Sequence, residues 1–203
     1  MKFVVGIDEA GRGPLAGPVA VGIVVAPANF DIRRAFPGVN DSKKLSEKKR
    51  EEIFALLQEK SKKMVSLRFL VVMASAKVID EKGISYAVRQ SIYKGIRKLA
   101  PRDALGQAPG LHNVHVLLDG LLKAPPEYSQ TTIIRGDATE PIISLASVAA
   151  KVTRDRLMKR LSKKYPGYGF EQHKGYGTKA HKSAIKRLGM SDIHRKSFKG
   201  CEK

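Results

Sequence analysis

Short apolar runs rich in β-branched residues alternate with longer amphipathic segments along this chain, the pattern of a sheet covered by helices. Phe3–Ile7 leads into the stretch GRGPLAGP, and Val19–Ala26 is a second apolar run, which predicts strand, glycine loop and strand. Alternation over Val65, Leu67, Phe69 and Val71 predicts a third strand, Val114–Leu118 a fourth and Thr131–Ile134 a fifth. Between them, Ser46 is placed to cap a helix with acids in its first turns, Ile53, Leu56 and Leu57 on one side, and Lys60, Lys62 and Lys63 at its end, as the macrodipole prefers. Ile84, Val88, Ser91, Ile92, Ile96 and Leu99 trace a second helical stripe, and Ile142 to Leu161 a third that is small and apolar early and basic late. Thr178–Leu188 is a further helix with Gly189 as its C-cap. The order predicts an α/β fold, one mixed sheet flanked by helices, with a basic helical C-terminal region.

Composition narrows what such a fold is for. Of 203 residues, 42% are hydrophobic, enough for one globular domain with a full apolar core. Lys and Arg number 38 against 19 Asp and Glu, a formal charge of +19 that points to a polyanionic partner. The basic residues are spread along the chain, so they read as a folded basic face and not as a disordered arm. The single cysteine, Cys201, excludes an internal disulfide framework and fits a reducing compartment. No apolar run approaches the ~20 residues of a membrane span. The start MKFVVGIDEAGRGP meets acid and Arg too early for a signal peptide, so a soluble, cytoplasmic chain with no membrane partner is expected. No extended apolar stripe demands a second copy, and a monomer is expected.

Against this cationic background, four acids stand out by position. Asp8 and Glu9 directly follow a hydrophobic run and precede a glycine loop; Asp119 follows VHVLL, and Asp137 follows TTIIR and Gly136. Singly, each reads as a strand-end cap, a turn former or a partner for a nearby Lys. Together, at three strand ends that one sheet edge could gather, they offer only hard oxygen ligands, which select Mg²⁺ or Mn²⁺ over zinc. Neighbouring side chains of a regular strand point to opposite faces, so Asp8 and Glu9 serve one centre only if the strand ends or bends there. Such a set suits a two-metal site, with ions about 3.5–4 Å apart, for phosphodiester hydrolysis.

Gly11-Arg12-Gly13-Pro14-Leu15-Ala16 satisfies the G-x-G-x-x-A dinucleotide pattern, but Pro18 and VAVGIVVA continue as a strand where that pattern needs a helix, and two carboxylates would repel a diphosphate. What remains is a loop whose backbone approaches a ligand closely, with Arg12 available for a phosphate. Tyr165, Tyr168, Phe170 and Tyr176 lie among Lys and His in YPGYGFEQHKGYGT, a composition suited to stacking on a sugar or base, although most of the four are expected to pack on the core. The five histidines form no convincing ligand set; His173 or His181 could shuttle protons, with a surface role as the default.

These motifs together resemble bacterial ribonuclease HII. GIDEAGRGPLAGPV, NDSKKLSEKKR, LLDG, RGD, ASVAAKVTRD, YGFEQHKGYGT and HRKSF occur in the order that family shows, over nearly the whole chain. The resemblance implies a ribonuclease H-like catalytic domain over residues 1–203, with roughly 165–203 as a C-terminal substrate-binding region. It also implies Mg²⁺- or Mn²⁺-dependent cleavage of RNA in RNA–DNA hybrids and incision at single ribonucleotides in duplex DNA. The products would carry 3′-hydroxyl and 5′-phosphate ends. The family's metal-site acids fall on Asp8, Glu9, Asp119 and Asp137, and its glycine motif, the ribose-sensing element, on Gly11, Arg12 and Gly13. Its stacking tyrosine falls on Tyr176, and its phosphate-contacting segment on Ser42, Lys43 and Lys44. Docking on a replication clamp is left open. Two readings compete: a non-catalytic basic nucleic-acid-binding protein, whose acids merely balance local charge, and a nucleotide-using enzyme acting through GRGPLAG.

Overall fold

The computed structural model describes residues 2–39, 44–99 and 113–201. Its strands are β1 (Phe3–Ala10), β2 (Val19–Pro27), β3 (Arg68–Ala74), β4 (Val114–Asp119) and β5 (Ser129–Ile133). They form one mixed sheet in the order β3-β2-β1-β4-β5. β2 runs antiparallel to β1 and β3, whereas β4 lies parallel to β1 and β5. The helices are α1 (Ile32–Ala35), α2 (Glu47–Lys63), α3 (Ala76–Lys82), α4 (Ile84–Leu99), α5 (Gly136–Thr139), α6 (Pro141–Lys164), α7 (Phe170–His173) and α8 (Lys179–Leu188).

Strand alternation divides the core into two layers. Val5 and Ile7 of β1, Val21 and Ile23 of β2, and Val116 and Leu118 of β4 meet Ile79 of α3 and Val88, Ile92 and Ile96 of α4. On the other face, Val24 of β2 packs with Ile53, Phe54 and Leu57 of α2 and with Ile143, Leu145 and Val148 of α6. β2 is buried along its whole length, covered on both faces, which is why its sequence is an unbroken apolar run. A third cluster joins Leu15 and Ala16 of the glycine loop to Met158 of α6 and to Tyr168, Phe170, Ala184 and Ile185. The C-terminal region is thereby fastened to the loop that follows β1.

Ser46 and Gly189 cap where the sequence puts them, whereas Thr178, expected as the first residue of its helix, is instead the N-cap of α8. Ser46 Oγ accepts from Lys49 N–H at 3.2 Å, Thr178 Oγ1 accepts from His181 N–H at 3.2 Å, and Gly189 closes α8 at φ 76°. The third strand differs from expectation: Val65 is 89% exposed, and β3 begins at Arg68. Leu67 N–H bonds to Met64 carbonyl, so the first members of that alternation belong to a turn leaving α2. Helices α1, α5 and α7, four residues each, are too short to show a period, and α3 is set off from α4 by Gly83 at φ 85°. No helix among the described residues is long and apolar enough to cross a membrane.

Candidate active site

The sheet opens where β1 and β4 part. The parallel register pairs Ile7 with Leu118, so Asp8 and Asp119 are the next residues along neighbouring strands, and β1 then continues to Ala10 paired with β2 alone. Strand β1 thus neither ends at Ile7 nor is interrupted at Glu9, contrary to the condition drawn from alternation. Both acids nevertheless line one cleft of about 260 Å³, together with Ala10, Gly11, Arg12, Gly13, Asp119, Ser147, Lys151 and Tyr176. Asp137 is not a strand end: it is the second residue of α5, after Arg135 in the left-handed region at φ 57°. It is buried outside the cleft lining, and its N–H donates to Asp119 Oδ1 at 3.4 Å.

Asp8 is 4% exposed, and its Oδ1 accepts from Glu9 N–H at 2.7 Å. Burial pushes its carboxyl well above the ordinary range; a hydrogen bond from Ser147 opposes this, and the charges of Glu9 and Asp119 add to it. Glu9 is raised too, first by burial and also by Asp119, against the pull of Arg12, whose Nη1 lies 3.3 Å from Glu9 Oε1. Buried like charges of this kind favour a dication between them. Among the described residues, no three His, Cys, Asp or Glu side chains are gathered tightly enough to enclose an ion by themselves. What the cleft offers a cation is the hard carboxylate oxygen of Asp8, Glu9 and Asp119, the donor type that Mg²⁺ and Mn²⁺ take.

The glycine loop lies at the mouth. Gly11 adopts φ +85°, and a Cβ there would sit 1.9 Å from Arg154 Nε, whereas Gly13 faces open space. Tyr176 is 43% exposed, and the Arg154 guanidinium lies 5.9 Å from its ring centroid. Tyr168 and Phe170 are core residues, as most of that aromatic group was expected to be. Lys44 is exposed and does not line the cleft, and Ser42 and Lys43 lie outside the described residues.

The surface default for histidine fails at two positions: His181 and His194 are buried, 0% and 1% exposed, bonded to each other through Nε2 atoms 3.1 Å apart, and absent from the cleft lining. Sequence reasoning missed Ser147 and Lys151. They are one helical turn apart on α6, and that spacing was the available signal. It also missed the buried Arg154 and Arg195, since nothing in a basic sequence distinguishes an interior arginine from a surface one.

A model of the ribonuclease HII family matches residues 5–201. Ribonuclease HII of Bacillus cereus (strain AH820) and that of Bacillus thuringiensis (strain Al Hakam) are each 46% identical over 198 residues, 98% of this chain and 69% of theirs. Among solved structures, the PCNA:RNase HII complex from Archaeoglobus fulgidus superposes with a TM-score of 0.73 at 26% identity, covering 97% of this chain and 95% of the other. Bst-RNase HIII in complex with Mn²⁺ superposes with a TM-score of 0.71 at 15% identity over 98% and 68%, a likeness of fold. The chain therefore belongs to the ribonuclease HII family, the type 2 ribonuclease H hydrolases that cleave RNA in RNA–DNA hybrids.

Proposed function

We propose that this chain also incises duplex DNA on the 5′ side of single embedded ribonucleotides, with Mg²⁺ or Mn²⁺, leaving 3′-hydroxyl and 5′-phosphate ends. The observation that carries the reading is that one cleft is lined at once by Asp8, Glu9 and Asp119, by Gly11, Arg12 and Gly13, and by Tyr176.

Asp8, Glu9, Asp119 and Asp137 would hold the ions. Divalent ions bound there supply an activated water and neutralise charge on the leaving oxygen. The chain's own groups do the rest. Ser147 and the Glu9 N–H fix the Asp8 carboxylate, and the Asp137 N–H ties α5 to Asp119. Arg12 is half exposed in its pair with Glu9, so exchanging that partner for a phosphate costs little. Lys151, gripped by both Asp155 oxygens at 2.8 and 2.6 Å, keeps a cation at the cleft wall. The Gly11–Gly13 backbone reads the ribose 2′-hydroxyl, the group that separates RNA from DNA. Tyr176 stacks on the following sugar and favours deoxyribose there. Residues 165–203 act as the substrate-binding region, and Lys44, with Ser42 and Lys43, contacts phosphate. The archaeal relative's complex with PCNA makes a sliding clamp a partner to test on the C-terminal HRKSFKGCEK.

The test is a paired nicking assay. A duplex carrying one ribonucleotide is cut with Mg²⁺ or Mn²⁺, while the all-DNA duplex and the chelated reaction stay intact. Equal cutting of both duplexes removes the ribose-sensing role, and binding without any ion-dependent cutting favours the non-catalytic binder.

A further inference from the structure

The glycine loop is held from beneath by two arginines from distant parts of the chain. Arg195, 0% exposed, spends all three guanidinium nitrogens on it: Nε donates to Gly17 carbonyl (3.0 Å), Nη1 to Arg12 carbonyl (2.8 Å) and Nη2 to Gly11 carbonyl (2.6 Å). Arg154 of α6, 1% exposed, donates from Nε to Pro18 carbonyl (2.9 Å) and from Nη2 to Ala16 carbonyl (3.2 Å). Among the described residues, neither guanidinium forms a salt bridge; carbonyl oxygens accept their hydrogen bonds, and the rings of Tyr176 and Phe198 lie 5.9 Å from Arg154 and 5.0 Å from Arg195. Two adjacent buried cations with no carboxylate bonded to either are an expensive way to support a turn, because apolar side chains of like volume would avoid the desolvation. Burial, aided by the neighbouring Arg154, brings Arg195 down to about 9, still charged at neutral pH.

A trans peptide unit is planar, with its N–H antiparallel to its C=O, and the chain contains no cis peptide among the described residues. Fixing the Gly11 carbonyl on Arg195 therefore fixes the N–H of Arg12 on the opposite side, and fixing the Arg12 carbonyl does the same for the N–H of Gly13. Both carbonyls face a buried cation, so both N–H groups face away from the interior at residues that line the cleft. Arg195 is itself held by a strap: its N–H bonds to Leu15 carbonyl (2.8 Å), while Asp80 of α3 receives Lys196 N–H (2.9 Å), Ser197 N–H (3.0 Å) and Ser197 Oγ (2.6 Å).

We infer that Arg195 is a positioning residue for sugar selection: from beneath the loop it aims the N–H groups of Arg12 and Gly13 at the ribose 2′-hydroxyl, and Asp80 holds it in place from the surface. The inference rests on the ribose-sensing role proposed for Gly11–Gly13. Lysine keeps the charge at this position but cannot reach three carbonyls in a fixed fork.

The experiment measures binding of two duplexes in chelator, identical except for one ribonucleotide, and then nicking with Mn²⁺. Arg195→Lys lowers the preference for the ribonucleotide duplex and its kcat by at least 10-fold, while affinity for the all-DNA duplex, measured below the variant's lowered Tm, stays near wild type. Asp80→Asn, a change at a half-buried acid that leaves the buried pair in place, lowers the same preference by a smaller factor, which keeps the test decisive where Arg195→Lys folds poorly. Gly13→Pro removes one of the two aimed N–H groups, so adding Arg195→Lys to it lowers the preference by a smaller factor than Arg195→Lys does in the wild type, as expected of groups that act through one another. Unchanged selectivity in both Arg195→Lys and Asp80→Asn overturns the inference, as does an equal loss of affinity for both duplexes, which marks a merely structural role. Wild-type protein with no preference between the duplexes overturns the ribose-sensing reading itself, a distinct result.

Discussion

A methyl group on Gly6 would lie 2.4 Å from the carbonyl oxygen of Ile142, and one on Gly22 would lie 2.1 Å from that of Ala146. Helix α6 thus touches β1 and β2 backbone to backbone, and no side-chain rotation can relieve an added Cβ. The same approach brings Ser147 within hydrogen-bonding reach of Asp8. Gly22→Ala is expected to cost roughly 1–3 kcal/mol of stability, the usual range for overpacking a core. It should also lower the rate of the protein that still folds, because Ser147 must move with the helix. Denaturant midpoints and single-turnover nicking on the same samples check both effects. An unchanged midpoint would mean that α6 sits farther from the sheet.

Asp8→Asn removes one of several buried like charges without changing the side chain's size. In metal-free protein at neutral pH it should raise the Tm, since burial and the charges of Glu9 and Asp119 disfavour the Asp8 carboxylate. The same substitution should abolish nicking and most of the Mn²⁺-induced rise in Tm that the wild type shows by binding linkage. Thermal melts with and without MnCl₂ read both changes. A full Mn²⁺ shift in the variant would place the ions elsewhere.

Much of this site was legible because its acids follow apolar runs: the strands that carry Asp8, Glu9 and Asp119 announce themselves by composition, and parallel register does the rest. Asp137 was legible as an acid but not as a helical residue, since a four-residue helix has no period to read. Val65 misled because apolar alternation across a turn looks like alternation along a strand, and only the bond from Leu67 to Met64 separates the two. Arg154 and Arg195 were illegible for a different reason. Their partners are backbone carbonyls contributed by the loop at Gly11–Pro18, which a sequence does not mark. The histidine pair was hidden similarly, because burial of a polar ring depends on partners brought in by the fold.

Tyr176 offers its ring to the cleft with 43% exposure, and Arg154 stands 5.9 Å from the ring centre on a neighbouring element. Tyr176→Phe keeps the face and should keep KM near wild type. Tyr176→Ala removes it and should raise KM by about 10-fold, since a ring packed on a sugar is set at the lower part of the ~1–3 kcal/mol that an aromatic ring contributes by stacking on a base. Steady-state kinetics on the single-ribonucleotide duplex decide; equal KM values for the two variants would show that no stacking occurs there.

The buried histidine pair sets an acid limit on the fold. His181 Nδ1 lies 2.9 Å from Tyr176 carbonyl and so must donate to it, which leaves Nε2 to accept from His194 Nε2–H. His194 Nδ1 in turn accepts from Ser191 N–H at 2.9 Å. The chain of bonds closes with both rings neutral, and a proton added to either one sets N–H against N–H. Burial, reinforced by the facing rings of His173 and His194, lowers His181 to about 4 from 6.5, and burial lowers His194 as well. Between those values the unfolded chain takes up protons that the native state excludes, so stability is full above about 6.5 and falls as the pH drops toward 4, by up to ~1.4 kcal/mol per pH unit for each excluded proton. His181→Gln, whose amide donates to the Tyr176 carbonyl and accepts from His194, should flatten that acid limb while leaving the folded structure at pH 7.5. Urea midpoints from pH 7.5 down to pH 5 test it. A variant as acid-sensitive as the wild type would assign the loss to other groups.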